Sequence, residues 1–134
     1  MESTYKKEDK QLIFKINEDI DECYAQKIRR KLDNEIERYI PKEVIFDFGD
    51  VSFMDSAGIG LLIGRYKLAN MLGGKVQIAN INKPVRKIFE MSGIFRIIPE
   101  IELNQEKDKT EPTQNVGQNR TDPKWFEKME VKYE

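Results

Sequence analysis

"VIFDFGDVSFMDSAGIGLLIGRYK", from Val44 to Lys67, decides how this chain is read. Val44 to Phe48 is a short apolar run of strand formers, suited to a central strand covered on both faces. An acidic loop follows. A helix is then predicted from Ser56 to Leu72, closed by Gly73 and Gly74. Two kinds of chemistry suit a glycine-rich strand-to-helix turn. Its backbone can cradle a nucleotide phosphate, or Ser56 can itself receive a phosphate. Ser56 also suits a plain N-cap, because a serine hydroxyl satisfies a free N–H of the first turn. The first half of the helix, "AGIGLLIG", is apolar nearly all round, so both of its sides require cover. A sheet supplies one side. The other is covered by a partner, or by a neighbouring helix brought close by Gly60 and Gly64.

Working outward, "LIFKI" (Leu12 to Ile16) reads as a strand, with "KKEDKQ" before it as the turn of a hairpin from a first strand near Thr4 to Lys6. From Cys23 to Tyr39, Ala25, Ile28, Leu32, Ile36 and Tyr39 recur every three or four positions, one face of a helix that Pro41 prevents from continuing. "KVQIA" (Lys75 to Ala79) alternates as a strand. Asn82 caps a third helix with Pro84 in its first turn, reaching Ser92 and stopping at Gly93. Phe95 to Ile98 is predicted as the last strand. The order ββαβαβαβ implies an α/β fold, a mixed sheet with helices packed on it, since strands joined through helices run parallel with right-handed crossovers. Residues 1–103 form this domain. Residues 104–134 are expected to be a polar, flexible tail, because Val116 is the only large apolar residue from Asn104 to Lys124 and such a segment buries too little to offset its ordering entropy. Asp122 and Pro123 could start a short terminal helix with Trp125 and Met129 on one face.

Composition narrows the function. The 134 residues carry 23 basic and 24 acidic side chains, so nothing favours nucleic acid or an anionic membrane as partner. No apolar segment is long enough to span a bilayer, and "MESTYKKEDK" lacks a signal-peptide core. The expectation is a cytoplasmic protein. Cys23 is the only cysteine and there is no histidine. Ser-His and Cys-His nucleophiles are therefore unavailable, and a zinc site is disfavoured.

The nucleotide reading fits poorly. Gly58, Gly60 and Gly64 are spaced one residue wider than the dinucleotide fingerprint, they follow a later strand, and Asn80 stands where a ribose-binding acid belongs. A phospho-acceptor aspartate at Asp47 fits no better. The paired acids that would hold Mg²⁺, Asp19 and Asp21, follow the second strand rather than the first. Phosphate on Ser56 is physically reasonable. A helix N-terminus favours an anion by about 0.3–1 kcal/mol, although Asp55 opposes part of that gain. A dianion buried against a partner at a cost of about 4 kcal/mol would weaken binding about a thousandfold.

"FMDSAGIGLLIGRYK" and "FEMSGIFRII" together resemble the anti-sigma factor antagonists of the STAS domain family, and "GRYK" and "MSGIFRII" its sporulation members in particular. The resemblance covers residues 4 to 103. It implies a small mixed sheet with helices on it. It also implies a binding module, not an enzyme, which engages an anti-sigma factor that is a serine kinase and thereby releases a sigma factor. ATP and Mg²⁺ belong to that kinase; no cofactor, metal or catalytic residue is expected in this chain, which should be a monomer when free. The kinase would phosphorylate Ser56, the serine after the motif acid Asp55, and a separate serine phosphatase would reset it. Gly58, Ile59 and Gly60 match the start of the recognition helix, and Arg65 and Lys67 its basic end. Asp21 matches an acid that lies near the acceptor serine. For Arg65 and Lys67 a solvated helix face is the competing reading. Ala57 replaces a second serine, Glu18 replaces a glycine before the acidic loop, and the polar tail stands where a final helix is usual. A role in a general stress pathway is the nearest alternative, and a nucleotide-binding enzyme using Gly58 to Gly64 the alternative of another class.

Overall fold

A computed structural model describes residues 1–103, so the expectations for 104–134 lie outside the described residues. Strands β1 (Glu2–Lys6) and β2 (Gln11–Lys15) form the predicted antiparallel hairpin, with Tyr5 opposite Leu12. Lys10 closes its turn with a left-handed backbone. From β2 onward every neighbour is parallel, and the sheet follows chain order, β1-β2-β3-β4-β5. Helix α1 (Glu22–Tyr39) leads to β3 (Glu43–Asp47), α2 (Ser56–Met71) to β4 (Lys75–Ala79), and α3 (Lys83–Ser92) to β5 (Glu100–Ile101). Each crossover steps one strand in the same direction, so right-handed connections put all three helices on one face. There α1 packs beside α2, and α2 beside α3.

The core lies between that face and the helices. Leu12, Phe14, Val44, Phe46, Val76 and Ile78 point into it from the strands, and Ile28, Leu32, Ile36, Leu62 and Phe89 meet them from the helices. Phe14, Phe46, Phe48, Phe89 and Phe95 form a continuous series of ring contacts, with centroids 5.3 to 6.4 Å apart. β3 is central, and Ile45 on its second face is buried as well, as expected of a strand covered on both sides.

One predicted element is corrected. Phe95 to Ile98 is not a strand. A turn of 3-10 helix occupies Ile94–Arg96, and the last strand is the two-residue β5. Gly93 ends α3 with a left-handed backbone (φ 77°), a conformation glycine adopts without a Cβ penalty. The chain then coils again, so that Ile94 and Ile98, four apart, both enter the core, with Ile98 N–H donating to the Ile94 carbonyl at 2.9 Å. A run as short as Phe95 to Ile98, apolar except for Arg96, satisfies either geometry, and here the core selected the helical one.

Candidate functional site

The loops that leave the carboxyl ends of β2, β3 and β4 gather at one edge of the sheet, where open α/β sheets form their sites. Asp47, buried at the end of β3, fixes the floor. Its Oδ1 accepts from Gly49 N–H and from Asn80 Nδ2, both at 2.9 Å. Above it the 49–55 loop is tied to the 17–21 loop. Asp19 Oδ1 accepts from the N–H groups of Ser52 and Phe53, at 2.9 and 3.1 Å. Ile20 N–H donates to the Phe53 carbonyl and Asp55 N–H to the Ile20 carbonyl, both at 3.1 Å, around an Ile20–Met54 bridge. Asn82 Nδ2 adds a bond to the Val51 carbonyl from the start of α3.

This stitching brings the starts of α1 and α2 side by side. Asp21 is the N-cap of α1 and accepts from Tyr24 N–H at 2.9 Å. Asp55 is the N-cap of α2 and accepts from Ala57 N–H at 2.8 Å. The cap reading of Ser56 is therefore corrected. The carboxylate one residue earlier takes the free N–H, and Ser56 is the first residue inside the helix. Ser56 is exposed, and among the described residues its hydroxyl has no hydrogen-bond partner. Asp21 is tied to this helix start through the backbone, since the Asp55 amide donates to the carbonyl of Ile20, the residue before Asp21.

The remaining expected residues divide. Ile59 is half-buried, and Gly60 and Lys67 are exposed. Gly58 and Arg65 are not at the surface. A Cβ on Gly58 would lie 2.5 Å from Met54 Sδ, so this glycine serves the close approach of α2 to the loop beneath it. Arg65 is only 7% exposed and continues the buried stripe of Gly58, Leu61, Leu62 and Ala69. Its Nε lies 2.8 Å from Asp33 Oδ1 of α1, so it is not a solvated cation. Burial lowers its pKa, Asp33 raises it and Arg29 lowers it again. All three glycines of the motif lie within the α2 helix, which leaves no glycine loop to wrap a nucleotide phosphate.

Sequence reasoning missed Asp19 as the residue that straps the loop, and Phe53, which stands 54% exposed three residues before Ser56. It also missed Asp33, an acid bordering the apolar stripe of α1.

Residues 3–109 match the model of the STAS domain. The chain belongs to the STAS domain family. An anti-sigma F factor antagonist of Paenibacillus polymyxa is 34% identical to this STAS domain over 88 residues, covering 66% of this chain and 75% of that protein. An anti-sigma-B factor antagonist of Bacillus subtilis (strain 168) is 35% identical over 49 residues, 37% of this chain and 45% of that one. Among solved structures, the anti-sigma factor antagonist SpoIIAA in its unphosphorylated form superposes with a TM-score of 0.63 at 27% identity, covering 72% of this chain and 82% of that one. The phosphorylated form of Bacillus SpoIIAA gives 0.56 at 25%, covering 73% and 86%. The anti-sigma factor antagonists of this family are regulators, and the chain is a regulatory protein rather than an enzyme.

Proposed function

We propose that this anti-sigma factor antagonist binds an anti-sigma factor serine kinase, so releasing a sporulation-type sigma factor, and is switched off by phosphorylation of Ser56. The observation that carries the proposal is the free, exposed Ser56 hydroxyl at the start of α2, with capping left to Asp55. The likeness to a protein solved both with and without its phosphate supports it. The kinase brings ATP and Mg²⁺. Ser56 Oγ loses its proton and takes the γ-phosphoryl group, leaving ADP, and a serine phosphatase hydrolyses the ester. The helix start offers the new dianion about 0.3–1 kcal/mol, while Asp55 and Asp21 repel it, so the fold changes little. Partner contact changes more, because the charge must be desolvated there. We assign the protein to the cytoplasm as a free monomer with no cofactor of its own; among the described residues no helix is long and apolar enough to cross a membrane.

Intact-mass and peptide mass spectrometry after incubation with the anti-sigma kinase of the same genome and Mg-ATP tests the switch. One phosphate on Ser56 is expected, and none on Ser56→Ala, which should still bind the kinase. Equal incorporation in both proteins would sink the proposal. The similarity to an anti-sigma-B factor antagonist favours a general stress sigma factor as the second reading. Identifying the sigma factor displaced from the kinase separates the two.

A further inference from the structure

Gly60 and Gly64 have no task inside the described fold. A Cβ on either would meet nothing within 4 Å, and neither adopts a positive φ. The close helix packing expected of them is therefore absent. Glycine inside a helix is nevertheless disfavoured against alanine. With Ala57 they form the floor of a groove of about 300 Å³ between α1 and α2, whose α1 wall runs from Glu22 to Arg29. At 1.5 Å per residue the floor from Ala57 to Gly64 is about 10 Å long. One end adjoins Ser56. Arg65 lines the other.

Arg65 is a second, independent sign of a binding site. It is more than nine-tenths buried, and its Nη1 has no hydrogen-bond partner among the described residues. Its approach to Asp33, though short, is not aligned as a hydrogen bond. Arg29, exposed at the same end, forms no ion pair among the described residues. At the far end of the groove and in the cleft that adjoins it, the guanidiniums of Arg29, Arg30 and Arg65 outnumber the carboxylates of Asp33 and Glu37, so that end carries net positive charge.

We infer that this groove seats a segment of the protein partner, with an acidic side chain paired to Arg29 above the buried Arg65. The inference rests on the kinase-binding reading of Ser56. A protein segment suits the groove better than a small molecule because the floor runs continuously from Ser56, where that partner must reach. A floor without side chains also lets the segment lie close against the α2 backbone. The charge runs from Glu22 beside Ser56 to Arg29, which fixes the segment's direction.

The test is the affinity of the anti-sigma kinase for the wild-type chain, Gly64→Leu, Arg29→Glu and the control Asn70→Leu, which changes an exposed α2 residue outside the groove. Gly64→Leu fills the groove and should weaken binding about tenfold or more. Arg29→Glu should do the same and flatten the salt dependence of binding, because it removes the cation that attracts the acid. Asn70→Leu should bind as wild type. Arg29 is at the exposed rim, so its variant keeps the test valid if leucine at 64 disturbs α2. Unchanged affinity in Gly64→Leu and Arg29→Glu would overturn the groove while leaving the Ser56 reading intact. Loss in Gly64→Leu alone would overturn the acidic occupant. A wild-type chain that does not bind the kinase would overturn both readings.

Discussion

Two arginine–carboxylate pairs sit at opposite sides of the helical layer, and they are built in opposite ways. Arg86 of α3 holds Glu100 of β5 through two aligned bonds of 2.7 and 2.8 Å, with both side chains partly exposed. Arg65 of α2 lies buried against Asp33 of α1 at 2.8 Å, but without hydrogen-bond alignment and with Nη1 unpartnered. The well-formed pair is in water, where geometry adds little stability. The incomplete pair is in the interior, where incompleteness is costly. The exposed pair fastens a short strand to the sheet edge. The buried one keeps bonding capacity in reserve at the end of a groove.

The largest expected effect tests the buried pair. Asp33→Ala should destabilise the protein by about 2–3 kcal/mol, somewhat below the 3–5 typical of fully buried pairs because Asp33 is partly exposed. Adding Arg65→Met should recover most of the loss by removing the orphaned charge. Urea unfolding of the single and double variants measures both, and a double variant no more stable than Asp33→Ala would break the contrast. Next comes an effect of opposite sign on the same side of the molecule. Gly60→Ala and Gly64→Ala should each stabilise by about 0.5–1 kcal/mol, because alanine is the better helix former and the new methyl meets nothing. A fall in thermal midpoint for either would show that the groove is closed in solution.

The smallest effect belongs to the exposed pair. The hydrogen bond from Arg86 lowers the Glu100 pKa, with their charge attraction adding to it. A depressed carboxylate pKa makes a contribution that is complete above the ordinary glutamate value and is lost as pH falls through the depressed one. Glu100→Gln should therefore match wild type at low pH, fall slightly below it at neutral pH, and converge with it at high salt. Thermal unfolding across pH and ionic strength would show whether the pair is as weak as its exposure implies.

Most of the fold could be read from residue spacing. The α1 stripe, the Asn82 cap and the Gly93 stop all lie where the sequence puts them. Arg65 was legible too, but by a different rule from the one that drew attention to it. It stands seven residues after Gly58 and three after Leu62, on the buried stripe of α2, while the "GRYK" motif suggested a surface cation. The cap of α2 is ambiguous in the sequence because serine and aspartate both cap helices, and spacing alone does not say which of two adjacent residues lies outside the first turn. Asp19 was not legible at all. Its partners are backbone amides 33 and 34 residues away, and such contacts leave no local pattern.

That Asp19 strap has a consequence for association. A binding loop that must be ordered on contact subtracts its lost freedom from the affinity. Here the 52–55 backbone is already held by Asp19 and Ile20 in the free chain. On the function proposed above, Ser56 and its neighbours would meet a partner as a preformed surface, the entropy of shaping it having been spent during folding.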